Sequence, residues 1–346
     1  FGRGSLAQLG DLLKPRREAV DGPVVYFVDH FFRDHELIGR LPMEKGDQLH
    51  FVDSSSEPEV TRIDAFKEAV SAADSRTPCC VVGIGGGNAL DTAKAVANLL
   101  TNPGKAEDYQ GWELVKSPAV YKIGIPTLSG TGSECSRTCV LTNIPKNLKL
   151  GMNSDYTVYD QLLLDPDLLA TVPRDQYFYT GIDTFMHCVE SLQGSYRNAI
   201  IDAFSVRAVQ LCEEIFLSDD MMSEENREKM MIASYIGGMA AGNVGVIHPF
   251  SAGLGVVLHV AHGLGNCLAL NVLGDIYPKE YKQFRTMIER QGVNLPTGIC
   301  KDLTEEQYEG LYRGCIVHEK PLTNALGPDF KQILTRENLI ERYKSI

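Results

Sequence analysis

Long apolar runs are missing from this chain, and no stretch reaches the length a helix needs to cross a bilayer. Nor does the chain open with the charged, apolar and small-residue order of a secretory signal. Cys-x-x-Cys pairs are absent too. The 9 cysteines are scattered and odd in number; Cys79 and Cys80 are adjacent, and Cys135 and Cys139 lie four apart. That usage fits reduced thiols serving as small apolar residues and argues against a disulfide framework. Positive charge is scarce: 33 Lys and Arg stand against 45 Asp and Glu, a net charge of −12. A nucleic-acid backbone or an anionic membrane is therefore a poor partner, although a local basic pocket can still take a small anion. Internal repeats and low-complexity linkers are lacking. The expectation is a cytoplasmic enzyme or binding protein, with a few residues missing before Phe1-Gly2-Arg3-Gly4.

What remains is ordinary globular material: 44% hydrophobic and 23% charged residues over 346 positions, enough for two domains with separate cores. The first half alternates strands and helices. Val24 to Asp29 and Gln48 to Val52 have the β-branched and aromatic character of buried parallel strands. Glu57 to Ala73 carries Val60, Ile63, Phe66 and Val70 at helical spacing. Cys80 to Ile84 reads as a strand that runs into Gly85-Gly86-Gly87-Asn88, with a helix from Ala89 to Leu100. Strand, glycine turn and helix together present bare backbone N–H groups and a helix N-terminus to an anion. The usual dinucleotide fingerprint places an acid after the glycines; here the acid precedes them, at Asp29. A second small-residue loop, Pro126 to Glu134, follows a strand over Tyr121 to Ile125 and offers hydroxyls and amides to phosphate or ribose. Leu162 to Pro166 is expected to close the sheet.

From Pro166 onward only helices are expected, over 183–192, 199–216, 224–241, 278–291, 304–317 and 336–343. The fold class is thus an α/β N-terminal domain with a parallel sheet, residues 1–162, followed by an all-α C-terminal domain, residues 163–346, with a cleft between them. In the helical half, Asp183 and His187 are four residues apart, which on a helix puts them one turn apart on one face. His248 and His262 follow later. One carboxylate and three imidazoles suit Fe²⁺ or Zn²⁺ better than Ca²⁺ or Mg²⁺. An unbroken helix would hold His248 and His262 ~21 Å apart, so the chain must fold back between them. Ser251, Gly253 and Gly255 are candidates for that break, and Gly263 suits a fresh helix start.

With both halves read, the chain resembles the iron-containing (group III) alcohol dehydrogenases over nearly its whole length. Gly85-Gly86-Gly87-Asn88-Ala89-Leu90-Asp91-Thr92-Ala93-Lys94 is similar to the family's Gly-Gly-Gly-Ser-x-x-Asp-x-Ala-Lys, with Asn88 in the serine place. Pro126-Thr127-Leu128-Ser129-Gly130-Thr131-Gly132-Ser133-Glu134 is similar to its Pro-Thr-Thr-Ala-Gly-Thr-Gly-Ser-Glu loop. Gly181-Ile182-Asp183 through His187 resembles the segment that supplies two metal ligands, and His248 and His262 fall on the other two.

The resemblance implies a divalent metal, Fe²⁺ or Zn²⁺, held by Asp183, His187, His248 and His262. It implies NAD held by Asp29, Gly85, Gly86, Gly87, Asn88, Asp91, Thr127, Ser129, Thr131 and Lys149. Asp29 on the adenosine ribose would repel the extra phosphate of NADP. A homodimer acting on a small alcohol or sugar acid is implied as well. One departure stands out: four residues after His248, where the family commonly has a further histidine, this chain has Ala252. His259 is the candidate substitute in proton transfer. Among the branches, the chain looks most like the one oxidising the C8 hydroxyl of 3-deoxy-D-manno-octulosonate in lipopolysaccharide biosynthesis, with Arg137 as candidate partner of the substrate carboxylate. A metal- and NAD-dependent lyase of the dehydroquinate synthase kind, a general short-chain alcohol dehydrogenase and a non-catalytic binding protein are the rival expectations.

Overall fold

A computed structural model describes residues 1–346, which divide into two compact units. The first comprises Phe1–Leu128, Ser133–Ile144 and Leu150–Thr171; the second comprises Ser129–Gly132, Pro145–Lys149 and Val172–Ile346.

Eight strands run in chain order as β1 (Val24–Asp29), β2 (Gln48–Val52), β3 (Cys80–Gly85), β4 (Gly111–Trp112), β5 (Lys122–Pro126), β6 (Thr138–Asn143), β7 (Leu148–Asn153) and β8 (Gln161–Leu162). Five of them make a parallel sheet in the order β2-β1-β3-β5-β8. Successive side chains alternate between its faces. Val24, Tyr26, Val28, Cys80, Val82, Ile84, Ile123 and Ile125 pack on one side with Leu9 and Leu13 of α1 (Leu9–Ala19). Val25, Phe27 and Val81 pack on the other, against α2 (Val60–Ala73) and α3 (Gly87–Leu99). Both faces are covered, which is why these strands read as nearly continuous apolar runs. Each fully buried aliphatic side chain contributes about 1.5–3 kcal/mol.

Four strands lie within a residue of where the sequence puts them. The closing strand does not: it is Gln161–Leu162, and the chain then turns away. Asp165 is the cause, since its buried carboxylate accepts hydrogen bonds from the backbone of Gly4 and Leu6, both at 3.0 Å. The three-stranded sheet β4-β7-β6 was not expected. Its strands bury Cys139, Leu141 and Met152, but Lys and Asn interrupt the apolar pattern. Helix α1 was also missed, because Pro15 lies inside it.

The second unit is helical, as expected. It holds α4 (Arg174–Gln193), α5 (Ala199–Phe216), α6 (Glu224–Gly237), α7 (Ile247–Leu258), α8 (His262–Val272), α9 (Pro278–Gln291), α10 (Glu305–Ile316), α11 (Glu319–Leu326), α12 (Phe330–Ile333) and α13 (Arg336–Lys344). Helix α4 starts well before Asp183, directly after Pro173. No single helix is long and apolar enough to cross a membrane.

Candidate metal centre

Helix α4 is buried on every side from Thr180 to Ser191, so a polar residue on it meets other protein groups. Asp183 and His187 sit within that stretch, one turn apart. His248 lies in the first turn of α7, and His262 opens α8. The fold-back between them is at His259, whose φ of 54° ends α7 in the left-handed region, and Ala261 begins α8. Ser251, Gly253 and Gly255 are inside α7 and do not break it, which corrects the expectation from sequence. Gly253 instead allows close packing: a Cβ there would sit 2.7 Å from the Leu311 carbonyl of α10. A fresh helix starting at His262-Gly263 is as expected.

Four ligand atoms, one each from Asp183, His187, His248 and His262, all lie within 4.8 Å of one another. His248 Nε2 is 3.1 Å and His187 Nε2 3.7 Å from Asp183 Oδ1, and His262 Nε2 is 3.5 Å from Oδ2. The His187 and His248 rings stack at 4.5 Å, and His262 tilts towards His248 at 5.5 Å. Burial alone would raise the Asp183 pKa, but His187, His262 and His248 outweigh it and hold the carboxyl well below the usual range. Burial pulls His187 down to about 4 despite Asp183. His248 goes the other way, to about 9, because Glu190 and Asp183 overcome its burial.

Side chains that the sequence reading overlooked surround the four. Glu190 Oε2 contacts His248 Nδ1, while Oε1 accepts hydrogen bonds from Ile247 N at 2.6 Å and the Tyr277 hydroxyl at 3.3 Å. Asn266 Nδ2 donates to Asp183 Oδ1 at 2.6 Å and lies 3.4 and 3.3 Å from Nε2 of His248 and His262. His318, at the N-cap of α11, has a buried Nε2 without a hydrogen-bond partner. Burial, then Lys149 and His248, bring its pKa down to about 4. Spacing held the signal for two of these: Glu190 is three residues after His187, and Asn266 four after His262.

The donor set fits a divalent transition metal. Bonds of about 2.1 Å in tetrahedral geometry put ligand atoms about 3.4 Å apart, close to the 3.1, 3.5 and 3.7 Å between the Asp183 oxygens and the three imidazole nitrogens. Asp183 Oδ2 is buried without a hydrogen-bond partner, a costly arrangement that a cation would relieve. Three imidazoles and one carboxylate are borderline donors, suited to Zn²⁺ or Fe²⁺.

The other sequence candidates divide between the units. In the first, Gly85 ends β3 at φ 152°, and a Cβ there would meet Ala89 at 2.6 Å and Asp29 at 2.9 Å. Only glycine lets the end of β1, the end of β3 and the start of α3 converge. Gly86 is the N-cap of α3 and Gly87 its first residue, so the expected turn with free amides is present. Asp29 accepts from Phe31 N at 3.0 Å and Ser54 Oγ at 2.8 Å. Asn88 ties α3 to the Ser56 carbonyl at 2.9 Å.

Asp91 has a bracing part: its two oxygens accept from Ser133 Oγ at 2.5 Å and Val140 N at 2.8 Å, and burial raises its pKa. Thr127 N donates to the Gly85 carbonyl at 3.0 Å. Arg137 pairs with Glu113 at 2.5 Å and Asp155 at 2.9 Å, so a substrate carboxylate would have to compete with both. In the second unit, Ser129 Oγ is buried without a partner, and Thr131 and Lys149 belong to the same unit. Next to Ser129, Gly130 is anchored by Ser234 Oγ at 2.8 Å and Thr184 Oγ1 at 2.9 Å. His259 is exposed at its left-handed cap and is not among the side chains gathered at Asp183.

Two family models match the chain: iron-containing alcohol dehydrogenase over residues 1–166, and the C-terminal domain of the Fe-containing alcohol dehydrogenase family over 177–310. The sulfoacetaldehyde reductase of Bilophila wadsworthia is 34% identical over 220 residues, 62% of this chain and 56% of that protein. Alcohol dehydrogenase 4 of Saccharomyces cerevisiae is 31% identical over 278 residues, 78% of this chain and 71% of that one. Among solved structures, the Bifidobacterium kashiwanohense sulfoacetaldehyde reductase in complex with NAD⁺ superposes with a TM-score of 0.79 at 24% identity, covering 99% of this chain and 95% of that one. An alcohol dehydrogenase from Oenococcus oeni gives 0.82 at 21% identity, with 99% and 96% covered.

Proposed function

Because the chain belongs to the iron-containing alcohol dehydrogenase family, we propose that it is a metal-dependent oxidoreductase. It interconverts a primary alcohol and its aldehyde, with hydride passing to or from NAD. One observation carries this reading: Asp183, His187, His248 and His262, drawn from three helices, bring four donor atoms within 4.8 Å of one another. A divalent ion held there supplies Lewis-acid polarisation of the substrate oxygen. The protein's part is to hold and orient. Asp183 offers the one negative charge among the four ligands. Glu190 fixes His248 through Nδ1, which leaves Nε2 directed at the cluster. The glycine turn at Gly85 to Gly87 with the α3 N-terminus suits a pyrophosphate, and Asp29 suits ribose hydroxyls. The labour divides near residue 162, with nucleotide binding before it and metal binding after it.

The substrate class is a small primary alcohol or its aldehyde. The sugar-acid reading, 3-deoxy-D-manno-octulosonate, came from overall likeness to one branch of the family, and Arg137, its one supporting residue, already has two carboxylate partners.

The test is NADH production from a panel of primary alcohols by protein loaded with Fe²⁺ or Zn²⁺, before and after chelation. Turnover that chelation abolishes and metal restores supports the reading. Turnover indifferent to chelation, or a metal-dependent elimination without net NADH, would replace it.

A further inference from the structure

Asp183 treats its two oxygens differently. Oδ1 takes the Asn266 amide at 2.6 Å and has His248 Nε2 at 3.1 Å, whereas Oδ2 is sealed from solvent with no hydrogen-bond partner. Asn266 is fully buried on α8, one turn after His262, so the helix that delivers one ligand also delivers this amide. Its Nδ2 has two protons but faces three acceptors: Oδ1 and the Nε2 atoms of His248 and His262. An ion bound by both imidazoles takes up their lone pairs, and the amide is then left with Oδ1 alone.

Resting on the metal reading above, we propose that Asn266 is a positioning residue that makes Asp183 a one-oxygen ligand. By engaging a lone pair of Oδ1 it weakens that oxygen as a second ligand and favours the unbonded Oδ2 for the ion. A carboxylate free of such a donor can grip a cation through both oxygens, which would use the coordination position that a substrate oxygen needs. Two features of the geometry fit this part. The Asn266–Asp183 contact is the shortest hydrogen bond made by either side chain. The Asn266 carbonyl oxygen is left buried and unpartnered, a cost the fold carries to keep the NH₂ turned inward.

The experiment uses the full chain loaded with Co²⁺, whose visible bands report coordination number without any turnover. Wild type is compared with Asn266→Leu, which removes the donor at similar volume, and with Asn266→Ser, which keeps a shorter one. The expected result is a several-fold weaker visible absorption for Asn266→Leu, the mark of a higher coordination number, with Asn266→Ser in between. The KM for a primary alcohol should rise more than kcat falls. Stoichiometric Co²⁺ binding with the wild-type spectrum in Asn266→Leu would overturn the inference and leave the metal reading standing. Failure of wild type to bind Co²⁺ would overturn both. Should Asn266→Leu not fold, a wild-type spectrum in Asn266→Ser together with wild-type KM decides against the proposal.

Discussion

A histidine that binds through Nε2 is aimed by whatever holds its Nδ1, and for His248 that group is Glu190. Glu190→Gln keeps the shape and removes the charge, so affinity for a divalent metal is expected to fall about 10–100-fold in competition with a chromophoric chelator. An affinity unchanged from wild type would remove Glu190 from this part. At the other candidate site, Asp29→Ala is expected to relax the preference for NAD over NADP, read as the ratio of kcat/KM for the two. An unchanged ratio would take Asp29 out of the cofactor site. The four ligands were legible because three are histidines, of which the chain has only 8, and because the segments around them resemble a family's ligand motifs; the Asp-to-His spacing alone is a weak signal. Glu190 and Asn266 obey the same helical spacing but are common residue types, and only packing distinguishes them. His318 leaves no signal in the sequence, since only the tertiary fold brings it near Lys149 and His248.

Element boundaries show where local signals lose to packing. Two elements meet at His259, whose φ of 54° lies in the left-handed region that histidine enters more readily than most non-glycine residues but far less readily than glycine, while the nearby glycines serve close contacts inside α7. The sequence shows that a break must exist between His248 and His262 but does not place it. The joint between α1, β1 and the segment before β2 is a clearer case. The Asp47 carboxylate, 2% exposed, accepts from Arg17 at 2.9 and 2.6 Å, Val24 N at 2.9 Å and Glu44 N at 2.8 Å. Burial alone would raise its pKa, but Arg17 and the two amides lower it. A carboxyl lowered in the folded state stabilises above its unfolded pKa of about 3.9, and that contribution is lost as pH falls through the folded value. Asp47→Asn is therefore expected to lower Tm at pH 7, with the gap to wild type narrowing below about pH 4. A gap constant from pH 7 to about 3 would contradict this.

For the whole molecule, the two-part plan was readable because burial leaves different periods in sequence. A sheet covered on both sides needs short apolar strands between helices, and a helical unit needs none. The three-stranded sheet β4-β7-β6 escaped because its strands mix apolar residues with Asn143 and Lys149, polar side chains that are nonetheless buried, and with half-buried Asn153. The helical unit is built around α4, and its most buried stretch is the one that carries a carboxylate and an imidazole into the interior. Such groups are expensive there unless something positive binds them. Elemental analysis of Zn²⁺-loaded protein, freed of excess metal, tests this most directly. Wild type should keep about one ion per chain, and His187→Ala and His262→Ala should keep none while their far-ultraviolet circular dichroism stays unchanged. Stoichiometric metal in both variants, or none in wild type, would contradict the account.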